Sequence, residues 1–485
     1  MKGKSLSANY IFNFLKTLCG ILFPVITFTY SARILGVDGV GQVQFSRTMI
    51  TYFSMIAMLG MNNYGVREAA RVRDHPDQLS QFAQEALAIN ALTTAAAYVL
   101  FFLSLYIIPK FHDYRFLLLI ASGEILLQSM GLEWLYQALE EYRYIALRSL
   151  AFQILALGCL FLFVRDRDDI AAYMIISIAA TSGSYILNFI HAKKYIRFRR
   201  YPEYHFRRHF KPLLVLFAMA VSIELYNVLD TTMLGFIHGD AAVGRYTAAI
   251  KINRVMVRLL TSLSAVMFPR ISYYIGRNET EKTRRLIYRS YNYVFLLSVP
   301  CCVGLYCLST EVILMLCGAE FLAASFTMRI MIPIMFVIPF SATTNQQTLV
   351  PMGEEWRILI ATCVGAVTNI ICNALLIPRF AEDGAAVGTL VAETAVAIVS
   401  FYNGGKFYLM KPAFAYLWQY VLAASPIPLI VWAVRHCLSG YFFICAAAIP
   451  VSGVIYGAIL ILLRNPYGMD IPRKLSRRMG KRVRR

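Results

Sequence analysis

The chain has 485 residues, of which 58% are hydrophobic and 15% charged, and it carries a formal net charge of +20. Soluble chains run nearer about half apolar and a quarter charged, so these proportions exclude a string of ordinary soluble domains. The apolar residues gather in runs approaching the ~20 residues that cross a ~30 Å hydrocarbon core, separated by short basic or turn-rich breaks.

The first run continues from Asn9 through Thr29. It has neither the short apolar region nor the small-residue cleavage site of a signal peptide, and reads as the first membrane helix. In chain order the span cores fall at 10–32, 41–61, 86–108, 115–137, 145–164, 170–191, 212–237, 243–268, 291–309, 323–350, 357–377, 385–404, 414–434 and 441–463. That is about fourteen crossings by length. The division of 291–350 into two is the least sharply marked. The fold expected is an all-α polytopic membrane protein.

Lys and Arg collect on alternate loops. One set holds Arg67, Arg71 and Arg73, the run from Lys193 through Arg208, and Arg270 to Arg289; the tail from Arg473 to Arg485 falls on the same side. The opposite loops hold only scattered charges such as Lys110, Arg165, Arg167, Arg379 and Arg435. The bias places both termini in the cytoplasm. It also accounts for the net charge, because juxtamembrane cations meet anionic headgroups. No zinc-finger, RNP or helix-turn-helix pattern accompanies them, so no nucleic-acid partner is expected.

Other chemistry is missing. The ten cysteines lie in or beside apolar runs without CxxC pairs or Cys/His ligand spacing, and read as packing residues. There is no GxxxxGK[ST], HExxH or GxSxG motif, so neither ATP hydrolysis nor these catalytic chemistries are supported, and no cofactor is expected. Asn278-Glu279-Thr280 matches a glycosylation sequon inside an expected cytoplasmic loop. His75, His191, His205 and His209 fall in loops or at helix ends, where solvation is the default.

One local pattern occurs three times: Val37-Asp-Gly-Val-Gly41 before span two, Gly239-Asp-Ala-Ala-Val-Gly244 before span eight, and Glu382-Asp-Gly-Ala-Ala-Val-Gly388 before span twelve. The carboxylate is suited to cap a helix N-terminus and the glycine to admit close packing. Recurrence at spans two and eight points to two pseudo-symmetric six-helix lobes in the same orientation, a known transporter architecture, plus two C-terminal helices. The lobes divide as residues 1–200 and 201–412, with 413–485 holding the two extra helices and the basic tail.

Ionisable and amide residues also fall within spans. The cations are Lys16, Arg47, Lys251, Arg254, Arg258 and Arg329; the acids and amides include Glu124, Glu133, Glu224, Asn227, Asp230, Asn345, Gln346, Gln347 and Glu393. Each Lys or Arg at a helix centre costs about 2.5–3.5 kcal/mol on insertion, so these residues should face a wet cavity or one another. Lys251, Arg254 and Arg258, spaced i, i+3, i+7, share one face and form a ladder of about 10 Å. Glu224, Asn227 and Asp230 have similar spacing on span seven, and the two stripes could simply pair. Adding Lys16, Arg33 and Arg47 leaves cations in surplus, which suits a phosphate or pyrophosphate and not a cationic drug.

Four stretches carry a family likeness: Pro24 to Gly41 (PVITFTYSARILGVDGVG), Tyr52 to Ala70 (YFSMIAMLGMNNYGVREAA), Gly131 to Ser149 (GLEWLYQALEEYRYIALRS), and Thr344 to Gly388 with NQQTLVPMGEEWR, TNIICNALLIP and DGAAVG. In them the chain resembles the bacterial oligosaccharide flippases of the polysaccharide-export family. These lie in the multidrug/oligosaccharidyl-lipid/polysaccharide exporter superfamily. The resemblance covers essentially the whole chain through the order and spacing of motifs that are individually weak.

It implies a fourteen-helix fold whose two lobes flank a central cavity. It also implies alternating-access movement of a polyprenyl-pyrophosphate-linked oligosaccharide, without ATP, across the bacterial cytoplasmic membrane. Lys16, Arg33, Arg47, Lys251, Arg254 and Arg258 lie on helices corresponding to those with cationic cavity residues in related lipid II flippases. On this reading they bind the pyrophosphate, Asn227, Asn345 and Gln347 meet sugars, and Glu224 or Asp230 carries a coupling ion. Partners would be membrane lipids and the polymerase and glycosyltransferases of the same pathway. The alternatives are a peptidoglycan lipid II flippase, a multidrug/cation antiporter of the same superfamily, or a membrane-embedded polymerase. The basic ladder argues against the antiporter, and the lack of a long outward loop against the polymerase.

Overall fold

The structure is a computed structural model that describes residues 6–407 and 411–469. The basic tail from Arg473 to Arg485 lies outside the described residues. So does the side chain of Lys16, although its backbone belongs to the first helix.

The described residues are helical, with no strand among them. The main helices are α1 (Leu6–Met58), α2 (Met61–Val72), α3 (Pro76–Ile107), α4 (Arg115–Ala138), α5 (Tyr142–Phe163), α6 (Ile170–Ala192), α7 (Arg207–Ile237), α8 (Asp240–Gly276), α9 (Thr280–Leu316), α10 (Ala324–Leu349), α11 (Glu355–Gly404), α12 (Leu417–Cys437) and α13 (Tyr441–Leu462). Among the described residues, 11 helices are long and apolar enough to cross a membrane. Large apolar side chains such as Leu100, Phe102, Phe163 and Leu462 point outward. A face this apolar is stable only against lipid. The chain is a multi-pass membrane protein.

Two helices are too long for a single crossing. α1 has 53 residues and α11 has 50, each more than 70 Å at ~1.5 Å per residue. Both are broken internally, α1 at Gly36 (φ 70°) and α11 at Ala381 (φ 47°). Glycine adopts positive φ at no steric cost, whereas alanine is strained there. With each break dividing a double crossing, the expected total of about fourteen is compatible with the structure.

The chain forms two compact units, Met1–Gly244 and Arg245–Arg485. In the first, α1 is the hub and packs against α3, α4, α5 and α7, while α2 packs on α3 and the end of α4. Phe45, Ile50, Trp134 and Tyr136 are fully buried there. In the second, α9 is the hub for α10, α12 and α13. Phe295 stacks on Phe336 at 5.1 Å, and Arg435 of α12 grips the Glu311 carboxylate of α9 at 2.6 and 2.8 Å.

α3 starts well before the apolar run that marks its span. Pro76 supplies a first-turn proline and Asp77 a first-turn acid, both favourable at a helix start. The polar face of these early turns has its own task, since it holds the connection between α6 and α7. Ser80 Oγ accepts from the Arg197 amide at 3.0 Å, and the Gln84 amide donates to the carbonyls of Arg197 and Arg199 at 2.9 and 3.0 Å. The Gln81 amide donates to Glu203 O at 2.8 Å, and Glu85 accepts from the His205 amide at 2.7 Å. Positions 80, 81, 84 and 85 share one helical face. They supply the hydrogen bonds that non-helical backbone at 195–205 lacks.

The three repeated motifs begin at or directly after positive-φ residues: Gly36, Gly239 (φ 83°) and Ala381. Two of their carboxylates bond across to neighbours, Asp240 accepting from the Tyr114 hydroxyl and Asp383 from the Thr327 hydroxyl at 2.6 Å. Asp240 and Asp383 thus tie neighbouring helices together. A Cβ on Gly41 would overlap the Asp240 carbonyl oxygen, and a Cβ on Gly244 the Val37 carbonyl oxygen. In each helix the carbonyl of one residue and the glycine four positions on face their counterparts reciprocally. The third motif behaves differently, with Gly388 against the Asn373 side chain.

Candidate substrate site

The in-membrane charges of the first unit centre on Arg47. Its helix carries it past the Gly36 break, with Arg33 exposed three residues before that break. The Arg47 guanidinium donates to Ser177 Oγ at 2.7 Å and to the two Glu124 carboxylate oxygens at 3.3 and 3.4 Å, with Thr181 Oγ1 at 3.5 Å. Glu124 also accepts from Gln128 and Ser182, each at 3.3 Å. Its side chain is 11% exposed, that of Arg47 27%. Residues Ala179–Gly183 form a π-helical turn within α6 that carries Thr181 and Ser182 to this cluster. Single π turns are frequent at functional sites.

The acidic and amide stripe of α7 has graded exposure. Glu224 is half-buried, Asn227 exposed with its amide donating to Ile223 O at 3.0 Å, and Asp230 buried. Two residues further on, Thr232 meets the Tyr52 hydroxyl at 2.7 Å, tying α7 to α1.

In the second unit Lys251 is half-buried, while Arg254 and Arg258 are exposed on α8. Asn345 and Gln347 lie in another π-helical turn, Asn345–Leu349, at the end of α10. Gln347 is buried, and the buried side-chain oxygen of Asn345 has no hydrogen-bond partner among the described residues. An amide oxygen left so is costly unless a ligand or water meets it.

Other in-membrane charges are absorbed by pairing. Arg329 donates to Ser309 and Thr310 at 2.5 and 2.8 Å. Arg148 pairs with Glu133 at 2.7 Å, and Arg245 with Glu382. A buried group the sequence reading passed over is His209, expected to be solvated. Its Nδ1 lies 2.6 Å from the Tyr64 hydroxyl and its Nε2 2.7 Å from Glu85, a fully buried carboxylate that also pairs with Arg208 at 2.8 Å. His191 likewise stacks on Tyr144 at 4.4 Å, away from the solvated role expected of it. No periodicity signals such partners, which are remote in sequence. At the loops, Asp169 accepts the backbone amides of Arg165 and Asp166 at 2.9 Å, which holds its carboxyl below the ordinary carboxylate range. Glu354 is held low chiefly by its hydrogen bond from Arg357.

Comparison with known proteins adds an independent line. The family described as Polysaccharide biosynthesis protein matches residues 6–275, and the family MatE residues 216–375. A protein of Escherichia coli (strain K12) that carries the name O-antigen transporter is 23% identical over 398 residues, covering 81% of this chain and 95% of its own. A Haloferax volcanii protein that carries the name flippase AglR is 26% identical over 258 residues, 53% of this chain and 54% of its own. Among solved structures, the lipid II flippase MurJ in an inward closed conformation superposes with a TM-score of 0.77 at 17% identity. That match covers 94% of this chain and 99% of the other, and at this identity the likeness concerns the fold.

Proposed function

Given that the chain belongs to the polysaccharide biosynthesis protein family, we propose that it is a flippase for a polyprenyl-pyrophosphate-linked oligosaccharide, supplying cell-surface polysaccharide export by alternating access. The relatives named as an O-antigen transporter and a flippase support this class of cargo. The observation that carries the charge assignment is on α8. Arg254 and Arg258 remain exposed on a helix otherwise long and apolar enough for the membrane. Guanidinium groups there are worth their insertion cost where they meet an anion, and their planar donors match pyrophosphate oxygens.

In this reading Arg33, Arg47, Lys251, Arg254 and Arg258, with Lys16, engage the pyrophosphate. Asn227, Asn345 and Gln347 contact sugars, and Glu224 or Asp230 carries the coupling ion. Residues 1–200 and 201–412 act as the moving lobes, with 413–485 appended. The protein sits in the cytoplasmic membrane with both termini inside and works alongside glycosyltransferases and a polymerase. Replacing Arg254 and Arg258 together by Ala is expected to abolish outward movement of lipid-linked sugar in cells, with protein levels unchanged. Undiminished translocation would refute the assignment. Rescue of cells depleted of their lipid II flippase would instead move the substrate to peptidoglycan.

A further inference from the structure

α10 and α12 both pack on α9 near one end of the second unit, and an arginine from each grips the same stretch of α9. Arg435 of α12 donates to both Glu311 carboxylate oxygens and to the Cys307 carbonyl, so an acid matches its charge. Arg329 of α10 has no such match. Its Nε donates to Ser309 Oγ at 2.5 Å and its Nη2 to Thr310 Oγ1 at 2.8 Å, and its guanidinium carbon lies 5.8 Å from the centre of the Tyr306 ring. No carboxylate lies within ion-pair distance of it among the described residues. The two hydroxyls occupy two of the five N–H donors of a guanidinium and leave its charge uncompensated.

The same hydroxyls aim the group. Ser309 Oγ donates in turn to Tyr306 O at 3.1 Å, which leaves its lone pairs to Arg329. The guanidinium is thereby held along its Nε–Nη2 edge, while Nη1 meets no acceptor among the described residues, and the side chain is only half-buried. Its depth is fixed by the helices. Arg329 stands five residues into α10 from Ala324, and Ser309 seven residues before α9 ends at Leu316. At ~1.5 Å per residue both lie about 8–10 Å inside the helix ends, where hydrocarbon gives way to the headgroup layer. On the proposed orientation this is the outer leaflet. Tyr306 is exposed, as are Phe326 and Trp432, each about a turn before one of the two arginines. Aromatic rings exposed at this level face lipid, so an anion that reaches Arg329 arrives on a lipid molecule.

We propose that Arg329, aimed by Ser309 and Thr310 and flanked by Tyr306, binds the phosphate of a membrane lipid. The open edge of the guanidinium donates to phosphate oxygens, and the phosphate supplies the negative charge that Glu311 supplies to Arg435. The site shares no residue with the proposed substrate site and does not depend on that reading.

The test is native mass spectrometry of the purified full chain in a neutral detergent. The probes are dioctanoyl phosphatidylglycerol, farnesyl pyrophosphate, and dioctanoylglycerol, which lacks a phosphate. The unaltered chain is expected to retain one more copy of a phosphate-bearing probe than Arg329→Gln, whose affinity at that site falls at least ~10-fold. Arg329→Lys keeps the charge without the planar fork and should fall between the two. Loss of a phosphatidylglycerol copy identifies the occupant as a bilayer phospholipid, and loss confined to farnesyl pyrophosphate identifies it as a pyrophosphate-linked lipid; either result upholds the site. Equal retention of both probes by Arg329→Gln and the unaltered chain overturns it. Should Arg329→Gln fail to fold, the unaltered chain decides alone: dioctanoylglycerol retained as tightly as both phosphate-bearing probes refutes the proposal.

Discussion

Gly41 and Gly244 each lie where another segment's carbonyl oxygen occupies the place of a side chain. Neither carbonyl can move freely, since both belong to the first turns after helix breaks, Val37 after Gly36 and Asp240 after Gly239. Gly41→Val should cost about 1–3 kcal/mol through overpacking, read as a lowered thermal unfolding midpoint in detergent. An unchanged midpoint would show that the close approach is not a constraint. The recurrence of the glycine motif was legible in the sequence, but its reciprocal docking was not. A motif states what a residue permits and not which remote segment uses the permission. Arg47 makes the same point, since its place on a span is visible to composition whereas its partners Glu124 and Ser177 lie on other helices.

Among the elements, the connection from α6 to α7 departs furthest from expectation. Its cations mark it as a basic loop, yet its backbone is laced to one face of α3 through Ser80, Gln81, Gln84 and Glu85. At its end His209 and Arg208 lock α7 onto Glu85 and Tyr64. Ser80→Ala with Gln84→Ala should release the strap and speed trypsin cleavage after Arg197, Arg199 and Arg200 in the detergent-solubilised protein, since cleavage follows local opening. Equal rates in variant and parent would rule out the strap as the protecting contact. The early start of α3 escaped a hydropathy reading because hydropathy finds where lipid begins, whereas capping and first-turn residues decide where the helix begins. The π turns at Ala179–Gly183 and Asn345–Leu349 left no sequence signal, because an extra residue in a turn is chosen by packing.

For the molecule as a whole, the orientation proposed from the Lys and Arg distribution is testable directly. A fluorescent protein fused to the C-terminus should glow and an alkaline phosphatase fusion there should be inactive, since the latter folds only outside the cytoplasm; the opposite result would invert the topology. Membrane class, helical content, the approximate spans and the family likeness were all readable from residue order. Each depends on runs of apolar residues or on local motifs, which need no knowledge of partners. The roles of individual charges were not readable. Glu124 and Arg148 are buried and Arg329 half-buried, each held in an ion pair or hydrogen bonds, while the side chains of Arg254 and Arg258 keep exposed surface. That division is a property of the tertiary structure, because the cost of a charge in a membrane is set by what lies within a few ångströms of it, and those neighbours come from helices far apart in the chain.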